Sequence, residues 1–118
     1  MTINEYQQRA MASLNPELKG RDVLINSVMG LGGESGEAID IVKKWLAQGH
    51  PLDREHLASE LGDVAWYLAE AATALGLWQL AEAPQYVAAA ESRGQAKPVS
   101  FGTDTALVPV HLESQTQE

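Results

Sequence analysis

Apolar residues recur along the middle of the chain with a helical period. Leu24, Val28, Leu31, Ser35, Ala38, Val42 and Trp45 follow a 4-3-4-3-4-3 spacing. After a break at Gly49-His50-Pro51, Leu57, Leu61, Val64, Leu68, Ala71 and Leu75 repeat it. Neither glycine nor proline continues a helix there. The pattern predicts two long helices, 21–48 and 53–75, joined by a tight turn. A narrow 4-3 stripe on each arm predicts an antiparallel, coiled-coil-like pair with those residues in its seam. A shorter first helix is expected over 2–14, capped by Thr2 or Asn4 and striped by Tyr6, Ala10 and Leu14. Asn15-Pro16 ends it, because the residue before proline disfavours helix. Asp53 is the expected N-cap of the third helix. A weaker fourth helix is expected over 77–92, kinked or restarted at Pro84.

This is an all-α chain, a four-helix bundle with an antiparallel central pair and an irregular C-terminal tail. Helical periodicity fades after Arg93. We therefore divide the chain into a helical domain, 1–92, and an extension, 93–118, expected to be partly extended or disordered. A bundle this thin is expected to complete its core by oligomerising.

Polar residues add the candidate chemistry. Glu34 and Glu37 stand three residues apart on the first arm, and Glu60 and Asp63 three apart on the second. Each pair shares a helix face. At about 100° per residue, Glu34 and Glu37 sit roughly 70° and 130° from their seam, and Glu60 and Asp63 roughly 60° and 120° in the same sense. Antiparallel helices bring same-sense flanks to one side. The heights match too: Glu37 lies 12 residues before Gly49 and Asp63 lies 12 after Pro51. Four carboxylates are therefore expected on one patch. Ionised and crowded, they repel one another unless a cation is shared. Oxygen ligands select Mg²⁺, with Mn²⁺ or Ca²⁺ as alternatives, rather than zinc. The plainer reading of either pair alone is a solvated helix face.

Four glycines, Gly30, Gly32, Gly33 and Gly36, fall inside the second helix. They do not form a phosphate loop: no strand precedes them, and no Gly-Lys-Ser/Thr ending follows. They suggest a smooth helix side open to close approach. Asn26, two turns before Glu34, is a candidate for the same cleft. Lys44, seven residues after Glu37, could touch a phosphate, or simply balance the acids at the helix end. Trp66 and Tyr67 fit a core or a base-stacking wall. His50 and His56 have no partner at metal spacing and read as surface residues.

Composition narrows the field. Net charge −8 over 118 residues argues against a polymeric nucleic-acid groove. No apolar run reaches the length of a membrane span. The chain has no cysteine, which removes thiolate sites. A cytoplasmic location is expected, with no secretory signal at the N-terminus.

Two runs now carry a resemblance. They are Leu31-Gly32-Gly33-Glu34-Ser35-Gly36-Glu37, followed by Lys43-Lys44, and Glu60-Leu61-Gly62-Asp63-Val64-Ala65-Trp66-Tyr67-Leu68-Ala69. Together they resemble the metal-binding signature of the all-α nucleoside triphosphate pyrophosphohydrolases, in particular the MazG-like branch. The resemblance covers roughly residues 4 to 80. Many family members begin the first half with two adjacent glutamates, where Gly33 stands here. The resemblance implies Mg²⁺ held by Glu34, Glu37, Glu60 and Asp63. It implies hydrolysis of a nucleoside triphosphate, a dNTP or a non-canonical NTP, between the α and β phosphates. Glu34 and Glu37 would be the catalytic carboxylates, Glu34 the one that activates water. Asn26, Lys44 and Tyr67 are the candidate substrate contacts. It also implies a homodimer or homotetramer. The region Ala81-Glu82-Ala83-Pro84-Gln85-Tyr86-Val87 lacks the Asn and Lys or Arg usual on the family's fourth helix. That departure favours the alternative, a helical metal-binding or interaction module of the same fold.

Overall fold

The computed structural model describes residues 1–94. It is all-helical: α1 (Ile3–Met11), α2 (Arg21–Gln48), α3 (Arg54–Ala74) and α4 (Pro84–Gly94), with a 3₁₀ turn at Leu80–Glu82. No strand occurs among the described residues.

The helix ends follow local chemistry. Thr2 caps α1 in a capping box: its hydroxyl accepts from the Glu5 amide, and the Glu5 carboxylate accepts from the Thr2 amide at 2.7 Å. The helix stops at Met11, short of the expected Leu14. The Ser13 hydroxyl bonds to the Ala10 carbonyl at 2.7 Å and takes over the last turn. Gly49 ends α2 at φ 71°, where a side chain would be strained. Asp53 caps α3, its carboxylate accepting from the His56 amide. Gly76, at φ 78°, ends α3. The fourth segment does not form one helix from 77. It turns, makes the 3₁₀ turn, and starts α4 at Pro84, where the missing N–H costs nothing. α4 runs two residues past the expected domain end, to Gly94. The remainder of the expected extension lies outside the described residues.

α2 and α3 form an antiparallel hairpin, and α1 packs on α3. The seam of the hairpin is not the predicted one. The contacts run through Asn26 with Glu70, Gly30 with Tyr67, and Glu34 with Glu60. The residue numbers of each pair sum to nearly the same value, as an antiparallel register requires. Both helices are turned so that the flank carrying the acids lies near the contact. Part of the expected apolar seam stays inside, with Ala38 and Ala71 buried, and part faces outward: Val28, Leu61, Leu68 and Leu75 are exposed. Gly30 shows why. A Cβ there would stand 2.2 Å from the Tyr67 ring, so the missing side chain lets the tyrosine enter the seam and sets the rotation.

The buried apolar residues are Ala10, Ala38, Ile41, Ala69, Ala71, Ala72, Leu80 and Ala83, mostly alanine. Each alanine brings only about one methyl's worth of burial, near 0.8 kcal/mol. Polar clasps supplement this small core. Gln7, 1% exposed, donates to the Thr73 hydroxyl at 2.9 Å and the Leu77 carbonyl at 2.7 Å, and accepts from the Leu80 amide at 2.9 Å. It ties α1 to the end of α3 and the 3₁₀ turn. The Trp66 indole N–H reaches the Ala10 carbonyl and the Ser13 hydroxyl.

Candidate metal centre

Rotation of the hairpin puts an acid cluster at its middle. Glu34 on α2 meets Glu60 and Asp63 on α3, and one carboxylate oxygen from each lies within 4.8 Å of the others. Glu34 and Glu60 are half-buried, and Asp63 is exposed. The i, i+3 spacing of Glu60 and Asp63 sets both on the face turned towards Glu34. Hydrogen bonding with Glu60 pushes the Glu34 carboxyl above the usual glutamate range. Partial burial and the charges of Glu60, Asp63 and Glu37 act the same way. Glu34 therefore tends to keep a proton that it shares with Glu60.

Glu37 is expected in this cluster, and the structure sets it apart. It is exposed and lines a neighbouring cavity of about 250 Å³ at the tip of the hairpin, with Asp40, Lys44, His50, Asp53 and His56. No Glu37 oxygen joins the three that converge, and the residue acts on Glu34 through its charge. Lys44 lies in that same tip cavity and pairs with Asp40 at 2.8 Å. The pair holds the Asp40 carboxyl below its usual range and the Lys44 ammonium above its own.

His56 is a surface residue, as the sequence reading has it, yet it contacts the cluster. Its Nε2 lies 3.0 Å from Glu60 Oε1 and orients that carboxylate. The i, i+4 spacing of His56 and Glu60 was the available signal. Only the placement of Glu60 in a cluster gives it meaning.

A second cavity, about 360 Å³, is lined by Glu34, Asp63, Trp66 and Tyr67. The two rings meet edge to face, centroids 5.2 Å apart. Tyr67 is thus both a seam residue, against Gly30, and a cavity wall. Asn26 is committed elsewhere: its amide nitrogen donates to both oxygens of Glu70, at 2.8 and 3.1 Å. Glu70 is fully buried, and sequence reading missed it. The donor set fits a hard divalent cation. Three carboxylates converge from two helices, all the ligand atoms are oxygen, and hydrogen bonding with Glu60, partial burial and the neighbouring charges disfavour the ionised form of Glu34.

No family model and no solved structure matches the chain. Over a 54-residue stretch it is 44% identical to the Gene 37 protein of Mycobacterium phage L5. The stretch takes in 42% of this chain and 47% of that protein, so the chain spans less than half of its relative's length.

Proposed function

We propose that the chain is a divalent-metal-dependent nucleoside triphosphate pyrophosphohydrolase of the MazG-like kind, acting on dNTPs or non-canonical NTPs. The convergence of Glu34, Glu60 and Asp63 on one side of an α-helical hairpin carries this reading. The spacing of the two acid pairs, with Glu37 one turn on, supports it. These three carboxylates would hold Mg²⁺, or Mn²⁺ in its place. Such an ion, when bound, supplies charge neutralisation for the phosphates and an acidified water. Glu34 would take the water's proton, its carboxyl held above the usual glutamate range by hydrogen bonding with Glu60. Trp66 and Tyr67 offer aromatic surface beside the acids for a planar base. Lys44 would reach phosphate only by leaving Asp40, and Asn26 would contact substrate only with its carbonyl oxygen. The functional unit in this proposal is a homodimer or homotetramer.

The test is chromatography of products from a panel of canonical and modified nucleoside triphosphates, with and without Mg²⁺. Nucleoside monophosphate and pyrophosphate are expected, only with the metal. Asp63→Asn should lose nearly all turnover and keep its helical circular dichroism. Diphosphate plus orthophosphate would refute the mechanism. An absence of products would favour the second reading, a non-catalytic helical module. The segment 77–83 supports that reading, since it offers no basic residue and, apart from the 3₁₀ turn, no helix.

A further inference from the structure

Glu70 is the one buried acid among the described residues, and it is not one of the three that converge. It sits on α3 seven residues past Asp63, two turns along the same face. A carboxylate taken out of water needs donors. Asn26 on α2 supplies them, its Nδ2 reaching both oxygens at 2.8 and 3.1 Å. A carboxylate that accepts at both oxygens fixes the Asn26 amide one way round: the NH₂ faces Glu70 and the carbonyl oxygen faces away. Asn26 itself is exposed, so that oxygen is open to a ligand.

Its place along the hairpin says which ligand atom it meets. Asn26, Gly30 and Glu34 are four residues apart and form one stripe of α2. Across the seam they meet Glu70, Tyr67 and Glu60, in that order. The acid cluster therefore comes first, the aromatic wall next, and the Asn26 amide last. Asn26 stands about 12 Å along α2 from Glu34. That is close to the length of a nucleotide from its α phosphate to the outer edge of its base. A nucleotide with its phosphates at the acids and its base beside Tyr67 brings the base edge to Asn26. An acceptor there pairs with an N–H donor. Cytosine and adenine carry an amino group on that edge. Uracil and hypoxanthine carry a carbonyl oxygen there, which the Asn26 oxygen repels.

We propose that Asn26, oriented by Glu70, selects the base, favouring nucleotides of the amino-bearing bases cytosine and adenine over their keto counterparts. Glu70 is a positioning residue: it acts through the way it turns the Asn26 amide. The inference rests on the proposed function for the place of the phosphates, and it does not need the phosphates to be cleaved.

The test is calorimetric binding, with Mg²⁺, of α,β-imido analogues, which resist cleavage: dCTP against dUTP, and dATP against dITP. In whichever pair binds, the amino-bearing analogue should bind about tenfold tighter, the worth of one net hydrogen bond. Asn26→Ala should abolish the preference without reversing it. Glu70→Gln can donate to the Asn26 oxygen, which turns the amide over and presents its NH₂. The preference should then reverse, with helical circular dichroism kept, an outcome that loss of a merely structural contact does not give. Equal binding within each pair by the wild type would overturn the proposal. So would an unchanged preference in Asn26→Ala, or in a folded Glu70→Gln chain, or a failure of every analogue to bind. Failure of the pyrophosphohydrolase reading looks different: the analogues are discriminated, and the natural triphosphates yield no monophosphate.

Discussion

At the scale of residues, Glu34 ties stability to protons. Its carboxyl holds its proton to higher pH in the folded state than in the unfolded one, because Glu60 shares it and Asp63 and Glu37 repel the ionised form. The sign follows from linkage. As pH rises above the ordinary glutamate range, the unfolded chain gives up this proton first, so folding stability falls until the folded group has titrated too. Without divalent cations, the melting temperature should decline over that window. Mg²⁺ should offset the decline, since an ion taken up by the folded cluster as proposed would displace the proton. Glu34→Gln should flatten both responses. Thermal unfolding followed by circular dichroism, in chelator and in Mg²⁺ across pH, checks this. A slope unchanged by Glu34→Gln would show that the cluster is not the source.

At the scale of elements, α2 is a helix in which glycines have unequal roles. Gly30 and Gly33 are three residues apart and identical in propensity. Gly30→Ala should destabilise by about 1–3 kcal/mol, because the added methyl drives into the Tyr67 ring and forces the seam apart. Gly33→Ala meets open space and should stabilise by up to ~1 kcal/mol. Urea denaturation of the two variants gives opposite shifts of midpoint if this assignment is right. The aromatic cavity should follow Gly30 as well. Tryptophan fluorescence should change in Gly30→Ala, where Tyr67 moves against Trp66, and not in Gly33→Ala.

At the scale of the molecule, a core built largely of alanine leaves polar clasps with an outsized share of the stability. Gln7 makes three hydrogen bonds to α3, the loop after it and the 3₁₀ turn while almost fully buried. Gln7→Ala should cost about 2–3 kcal/mol, since the Leu80 amide and Leu77 carbonyl lose their partner out of reach of water. The unfolding midpoint in urea, compared with an exposed control such as Gln8→Ala, measures it. None of the described helices is long and apolar enough to cross a membrane.

What was readable in the sequence was local. The bounds of α2 follow from periodicity and from Gly49. The start of α3 follows from Asp53, whose cap is a contact three residues long. The acid pairs were legible because i, i+3 spacing on a helix is a local geometry. Facing of the two helices was not local. A 4-3 stripe says which residues avoid water, but not whether they do so within one chain or between two. Gly30 and Tyr67, 37 residues apart, decide it by letting one backbone approach one ring. That contact turns Glu34 towards Glu60 and Asp63, leaves Glu37 with Lys44 at the hairpin tip, buries Glu70 against Asn26, and leaves Leu61, Leu68 and Leu75 exposed. Such rotations depend on which side chains fit across an interface, and only the assembled helices define that fit.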